Sequence, residues 1–150
     1  MSTWYERRNT CYFLAELRRK GPNHYTKLVL DEEYQEEGLG DAEAVEVAQL
    51  LKGNTTITWV GLTWSQIGDT GAAALGEVVK GNRTFTLVDL RANLISDTGA
   101  AALGVFFEGN TIIRVLALSY KNIIRLPSAH AQKLTISDFQ YYCNPIDYIP

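Results

Sequence analysis

The stretch Asp69-Thr70-Gly71-Ala72-Ala73-Ala74-Leu75-Gly76 returns unchanged as Asp97-Thr98-Gly99-Ala100-Ala101-Ala102-Leu103-Gly104, 28 residues later. The pair Gly-Asn keeps the same interval, at Gly53-Asn54, Gly81-Asn82 and Gly109-Asn110. One period upstream, Asp41-Ala42-Glu43-Ala44 falls in the same phase. Eight identical residues in register with three Gly-Asn marks define an internal repeat.

Each unit has two halves with different hydrophobic periods. Ile57, Val60, Leu62 and Ile67 in one unit correspond to Phe85, Val88, Leu90 and Ile95 in the next, then to Ile113, Leu116, Leu118 and Ile123. The alternation at 60/62, 88/90 and 116/118 is the period of two of a short strand. The other half runs Gly71, Ala74, Leu75, Val78, Val79, then Gly99, Ala102, Leu103, Phe106, Phe107. Spacings of three and four residues predict an amphipathic helix of about three turns. Asp41, Asp69 and Asp97 stand where an N-cap carboxylate would accept free backbone N–H groups. Gly53, Gly81 and Gly109 stand where glycine ends a helix in the left-handed conformation. A strand and a helix cannot bury their apolar faces alone, so the copies must stack. The expectation is an α/β fold: a short right-handed βα solenoid, parallel strands on the concave side and helices on the convex side.

The string Ile57-x-x-Val60-x-Leu62-x-x-Ser65-x-Ile67, followed by Gly68-Asp69-x-Gly71, resembles the leucine-rich repeat. The length of 28 and the helical half resemble its ribonuclease-inhibitor-like subfamily. Phe85-x-x-Val88-x-Leu90-x-x-Asn93-x-Ile95 is the closest match and keeps the asparagine of the family's turn. The resemblance implies an asparagine ladder up the stack, here at Ser65, Asn93 and Lys121 and therefore mostly broken. It also implies a concave face that serves protein partners.

The domain boundaries follow from where the pattern holds. Residues 24–124 carry about four units, the last incomplete. In the first unit, Tyr25, Leu28 and Leu30 are the strand positions, and an acidic insertion at 31–38 makes the loop about four residues too long. Residues 1–23 read as an N-terminal capping helix, with Thr10, Phe13, Leu14 and Leu17 on one face and Gly21-Pro22 as its stop. Residues 125–150 read as a degenerate C-terminal cap or tail.

Composition narrows the function classes. The chain has 150 residues, 46% of them hydrophobic and 21% charged, with four prolines, which is ample for a buried core. Its net charge of −3 argues against a general nucleic-acid binder. Its N-terminus shows no signal-peptide pattern and it has no run of about 18 apolar residues, so no membrane association is expected. Cys11 and Cys143 lie too far apart for a disulfide framework or a four-cysteine zinc site, and the expected compartment is the cytoplasm, with reduced thiols. Cys11 reads as a small buried hydrophobe and Cys143 as lacking a histidine nearby. Phosphate-loop, GxSxG, HExxH and CxxC motifs are absent, and no cofactor or metal is implied. The expectation is a protein that is not an enzyme.

Charge is uneven along the chain. Residues 1–30 sum to +4 and residues 31–50 to −8. The basic side chains of the first helix are expected to face the acidic loop or solvent rather than phosphates. The acidic run lacks the ligand spacing of a calcium loop.

If Val60 and Leu62 point inward, their alternates point to the concave face. One column is Trp59, Leu87 and Val115, another Thr63, Arg91 and Ser119, with Asp89 between and Trp64 and Tyr120 past the strand ends; in the first unit the same offset gives Lys27, Val29 and Asp31, across the insertion. A tryptophan among apolar neighbours, with an Asp and an Arg alongside, has the composition of a binding hot spot. The alternative is that Trp59 folds over its own strand and shields Gly61. Four short strands give a footprint of roughly 300 Å², well under the about 800 Å² of a standard partner patch. Self-association through incompletely capped ends would enlarge it.

The reading is therefore a non-catalytic protein–protein interaction module. The alternatives are a regulator of a small GTPase, since the Ran GTPase-activating proteins have similar repeats, and a truncated repeat fragment without independent function. Arg91 is the one residue that suggests the GTPase role.

Overall fold

The computed structural model describes residues 2–6, 10–31, 39–107, 110, 112–113 and 115–118. Along the chain these form β1 (Ser2–Glu6), α1 (Thr10–Lys20), a 3-10 turn (Pro22–His24), β2 (Tyr25–Asp31), α2 (Asp41–Leu50), β3 (Trp59–Thr63), α3 (Asp69–Gly81), β4 (Leu87–Asp89), α4 (Asp97–Phe107) and β5 (Val115–Ala117). The described strands make one parallel sheet in the order β1-β2-β3-β4-β5. Each strand returns to its neighbour through a helix, which gives the short βα solenoid with strands on the concave side.

The core lies between sheet and helices, and the period of two selects it. Leu28, Leu30, Val60, Leu62, Val88 and Leu116 are buried from the strands, and Leu90 just past the end of β4. Ala44, Val47, Leu75, Val79 and Leu103 meet them from the helices, and Ile57, Ile67, Phe85 and Ile113 fill the turns.

The N-terminal region is more than a cap. The expected helix is present, with Phe13, Leu14 and Leu17 buried, but a strand precedes it and pairs with β2. It escapes a search at one period because the repeat length drifts. Register partners are Thr3 and Lys27, then Lys27 and Trp59, then Trp59 and Leu87, then Leu87 and Val115. The first interval is four residues short of 28 and the second four residues long, which matches the acidic insertion.

Three local expectations change. The repeat aspartates are the first helical residues, with Gly40 and Gly68 as the N-cap residues of α2 and α3, and their carboxylates serve the next unit instead of their own helix. Asp41 Oδ1 accepts the N–H groups of Gly68 (2.7 Å) and Gly71 (2.9 Å). Asp69 accepts Ser96 N–H (2.8 Å) and Oγ–H (2.6 Å), so the starts of α3 and α4 are satisfied from one repeat back. Among the glycines expected to end helices, Gly53 is left-handed (φ 74°), whereas Gly81 is the last residue of α3 and does not have a positive φ; Gly109 lies outside the described residues. Cys11 is exposed rather than buried, because it lies off the Phe13–Leu14–Leu17 stripe.

The asparagines of the Gly-Asn pairs form the ladder that the turn position only partly supplies. Asn54, Asn82 and Asn110 are all buried. Asn82 Nδ2 donates to the Asn54 carbonyl (3.1 Å), and Asn110 Nδ2 donates to the carbonyls of Val79 (2.8 Å) and Asn82 (3.3 Å). Each side-chain oxygen accepts amides two and three residues on, as Asn82 does from Thr84 and Phe85, both at 2.7 Å. Asn93 also bridges units, donating to the Leu62 carbonyl (2.7 Å) and accepting Ile67 N–H (3.0 Å). Ser65 reaches only the Thr63 carbonyl of its own unit, at 3.4 Å.

Candidate functional site

The concave face is built by the strand positions that alternate with the core. Register sets Lys27, Trp59, Leu87 and Val115 in one row across β2 to β5, and Val29, Gly61, Asp89 and Ala117 in the next. The first row is the expected column, extended at one end by Lys27 and, through register, by Thr3 of β1.

Trp59 is partly buried and lies against its own strand. A Cβ on residue 61 would sit 3.3 Å from Trp59 Nε1 and 3.4 Å from Val29 Cγ1, so Gly61 is the space that admits the indole. The Lys27 ammonium stands over the indole at 4.8 Å from the ring centroid, a cation–π contact. Leu87 is partly exposed at the next strand.

The second column is less open than the period of two implies. Thr63 is only 5% exposed and Asp89 only 6%. Asp89 is held by Arg91 in a two-point contact, Nε to Oδ1 at 2.9 Å and the second nitrogen to Oδ2 at 2.7 Å. Asp89 Oδ1 also accepts the Arg91 amide at 3.1 Å. The pair is a neutral unit fixed to the end of β4, and the guanidinium is engaged.

Past the strand ends, Trp64 is 48% exposed and adopts a left-handed backbone (φ 54°). Ala92, one repeat on, does the same (φ 56°). Trp64 N–H donates to the Arg91 carbonyl at 3.1 Å, which ties the two turns together. A left-handed tryptophan is held against its own preference, and nothing in the string Thr63-Trp64-Ser65 announces it. Leu94, 69% exposed, belongs to the same row of turns; the sequence reading did not single it out. Ser119 and Tyr120 lie outside the described residues, as do the side chains of Asp31 and Val115.

The basic side chains of α1 turn to its own helix and to α2. Arg19 and Lys20 pair with Glu16, and Arg18 pairs with Glu46 of α2. The hydrogen bond from Arg19 draws the Glu16 carboxyl down to about 2. Among the described residues there is no cluster of three or more His, Cys, Asp or Glu side chains that could hold a metal. No helix among them is long and apolar enough to cross a membrane.

Residues 53–76 and 81–104 match the leucine-rich repeat model. No curated protein matches the chain in sequence. Among solved structures, "Leiomodin-1 Actin-Binding Site 2 (ABS2)" is similar with a TM-score of 0.63 at 18% identity, over 85% of this chain and 70% of that one. At that identity the likeness is one of fold. The two matched segments carry the leucine-rich repeat pattern, and the sheet order and register continue the same βα stacking from β1 to β5.

Proposed function

We propose that this chain is a non-catalytic protein-interaction module of the ribonuclease-inhibitor-like kind, acting in the cytoplasm and binding its partner on the concave face. The observation that carries the reading is the row of Lys27, Trp59 and Leu87, which sets a cation, an indole and an apolar side chain across three adjacent strands. Asp89 and Arg91 border it as a preformed polar pair, and Thr63, Trp64, Val115, Ser119 and Tyr120 complete the candidate surface. Aromatic anchors with an arginine beside them are the composition of protein-binding hot spots. The 28-residue spacing and helical convex half support the subfamily. The similar leiomodin segment, titled an actin-binding site, supports a protein as the kind of partner.

Capture of binding proteins by the wild type, Trp59→Ala and Arg91→Ala tests the reading. A partner lost with Trp59→Ala supports it. A partner retained by both variants places the site elsewhere.

A further inference from the structure

Among the described residues, one buried side-chain polar atom lacks a hydrogen-bond partner, the Trp59 indole Nε1. It lies on the candidate binding face, with its N–H edge over the space that a side chain at Gly61 would fill. Beside it, the Lys27 ammonium rests on the indole ring, and no described carboxylate pairs with it. Asp89, in the adjoining row two strands away, is taken up by Arg91. This strip thus holds two donors, one of them a cation, with no acceptor committed to either and with Leu87 next to them. The complementary group is an anionic acceptor on an aliphatic stem, which is a glutamate or aspartate side chain.

We propose that Lys27, Trp59 and Leu87 form a carboxylate-binding subsite for an acidic segment of the protein partner. The indole swings off Gly61 on binding, so that Nε1 and the Lys27 ammonium both donate to the incoming carboxylate. The unpaired buried N–H destabilises the closed position of the indole, and binding removes that cost. Leu87 packs against the methylene stem. This inference rests on the interaction reading above, and it names the chemistry of the partner.

The test follows the Trp59 indole N–H signal by 15N NMR, assigned by tryptophan-to-phenylalanine variants at positions 4, 59 and 64. A short poly-glutamate peptide is titrated beside poly-glutamine and inorganic phosphate. The chain carries −3 overall, so long-range repulsion works against the acidic peptide and saturable binding demands a local site. The expected result is a saturable shift of the Trp59 signal with poly-glutamate alone, weakened about tenfold or more in Lys27→Met, which keeps the stem and removes the charge. An unmoved Trp59 signal, an equal response to poly-glutamine or phosphate, or full binding by Lys27→Met would overturn the proposal. If poly-glutamate fails while a captured protein still depends on Trp59, the carboxylate chemistry is wrong and the interaction face stands. If poly-glutamate binds while every captured protein ignores Trp59, the interaction face is wrong and the subsite stands.

Discussion

Asp41 Oδ1 accepts the amide of Gly71 at 2.9 Å, and a Cβ on residue 71 would lie 2.7 Å from that same oxygen. The aspartate and the glycine, each repeated every 28 residues, are thus one device. The carboxylate reaches one unit forward, and the missing side chain lets it in. Gly99 repeats the arrangement, where a Cβ would collide with Asp69 Oδ1. Stacking therefore couples neighbouring units through their helix starts as well as through the sheet.

That device makes the glycines unequal. Gly71→Ala also drives its methyl to 2.8 Å from the Ala44 Cβ and 2.9 Å from Ile67 Cγ2, and is expected to cost about 1–3 kcal/mol. Gly81 has nothing within 4 Å of a Cβ and no positive φ, so Gly81→Ala is expected to stabilise by about 0.5 kcal/mol. Gly53→Ala meets open space but a left-handed backbone, which costs about 1 kcal/mol. Urea denaturation of the three variants checks the order 81, 53, 71.

Removing the donor's partner is the converse experiment. Asp41→Ala leaves the amides of Gly68 and Gly71 without their acceptor and is expected to cost about 1–2 kcal/mol. In the Gly71→Ala background the second substitution should cost less, because the crowded oxygen is gone. A double-mutant cycle by denaturation measures that coupling.

Asn82→Ala removes both directions of the ladder. The Asn54 carbonyl loses its donor, and the amides of Thr84 and Phe85 lose their acceptor. Burial makes each loss expensive, and a total of about 2–4 kcal/mol is expected. An exposed control such as Thr70→Ala should change the denaturation midpoint little.

The Asp69 carboxyl sits below its ordinary value because the Ser96 hydroxyl and amide, and the Gly99 amide, donate to its charged form. A depressed folded value means that the stabilisation is complete above about pH 4, the unfolded range, and is lost as pH falls through the folded value. Thermal melts across that range should show the difference between wild type and Asp69→Ala shrinking as acidity increases. A constant difference would mean that the carboxylate charge plays no part.

Much of this was legible because stacking repeats the same physics in the same place. The period of two at Val60/Leu62 and Val88/Leu90 identified the core face, and the register then followed. Reading Gly-Asn as a helix stop found the period but missed its larger role, since the buried side chains of Asn82 and Asn110 donate back to carbonyls of the preceding repeat. β1 was hidden because β2, between it and the regular repeats, lies four residues out of phase, which leaves β1 only 24 residues upstream of β2. Trp59 and Leu87 share one row by register, and the indole closes over Gly61 as the alternative reading of that glycine has it, whereas the Asp89–Arg91 pairing is decided by side-chain conformation. Lys27 falls on the same face by its offset from Leu28, and the register across the acidic insertion sets it beside Trp59.

The interaction face is tested most directly by the affinity of a captured partner, measured by calorimetry for variants on opposite faces. Trp59→Ala and Leu87→Ala alter the concave row, while Tyr12→Ala and Val105→Ala alter exposed apolar side chains on α1 and α4. With melting curves confirming that all four variants fold, the concave pair should each weaken binding about tenfold or more, and the helical pair should leave it within about twofold. Loss of affinity confined to Tyr12→Ala or Val105→Ala would contradict the concave site and assign binding to the helices.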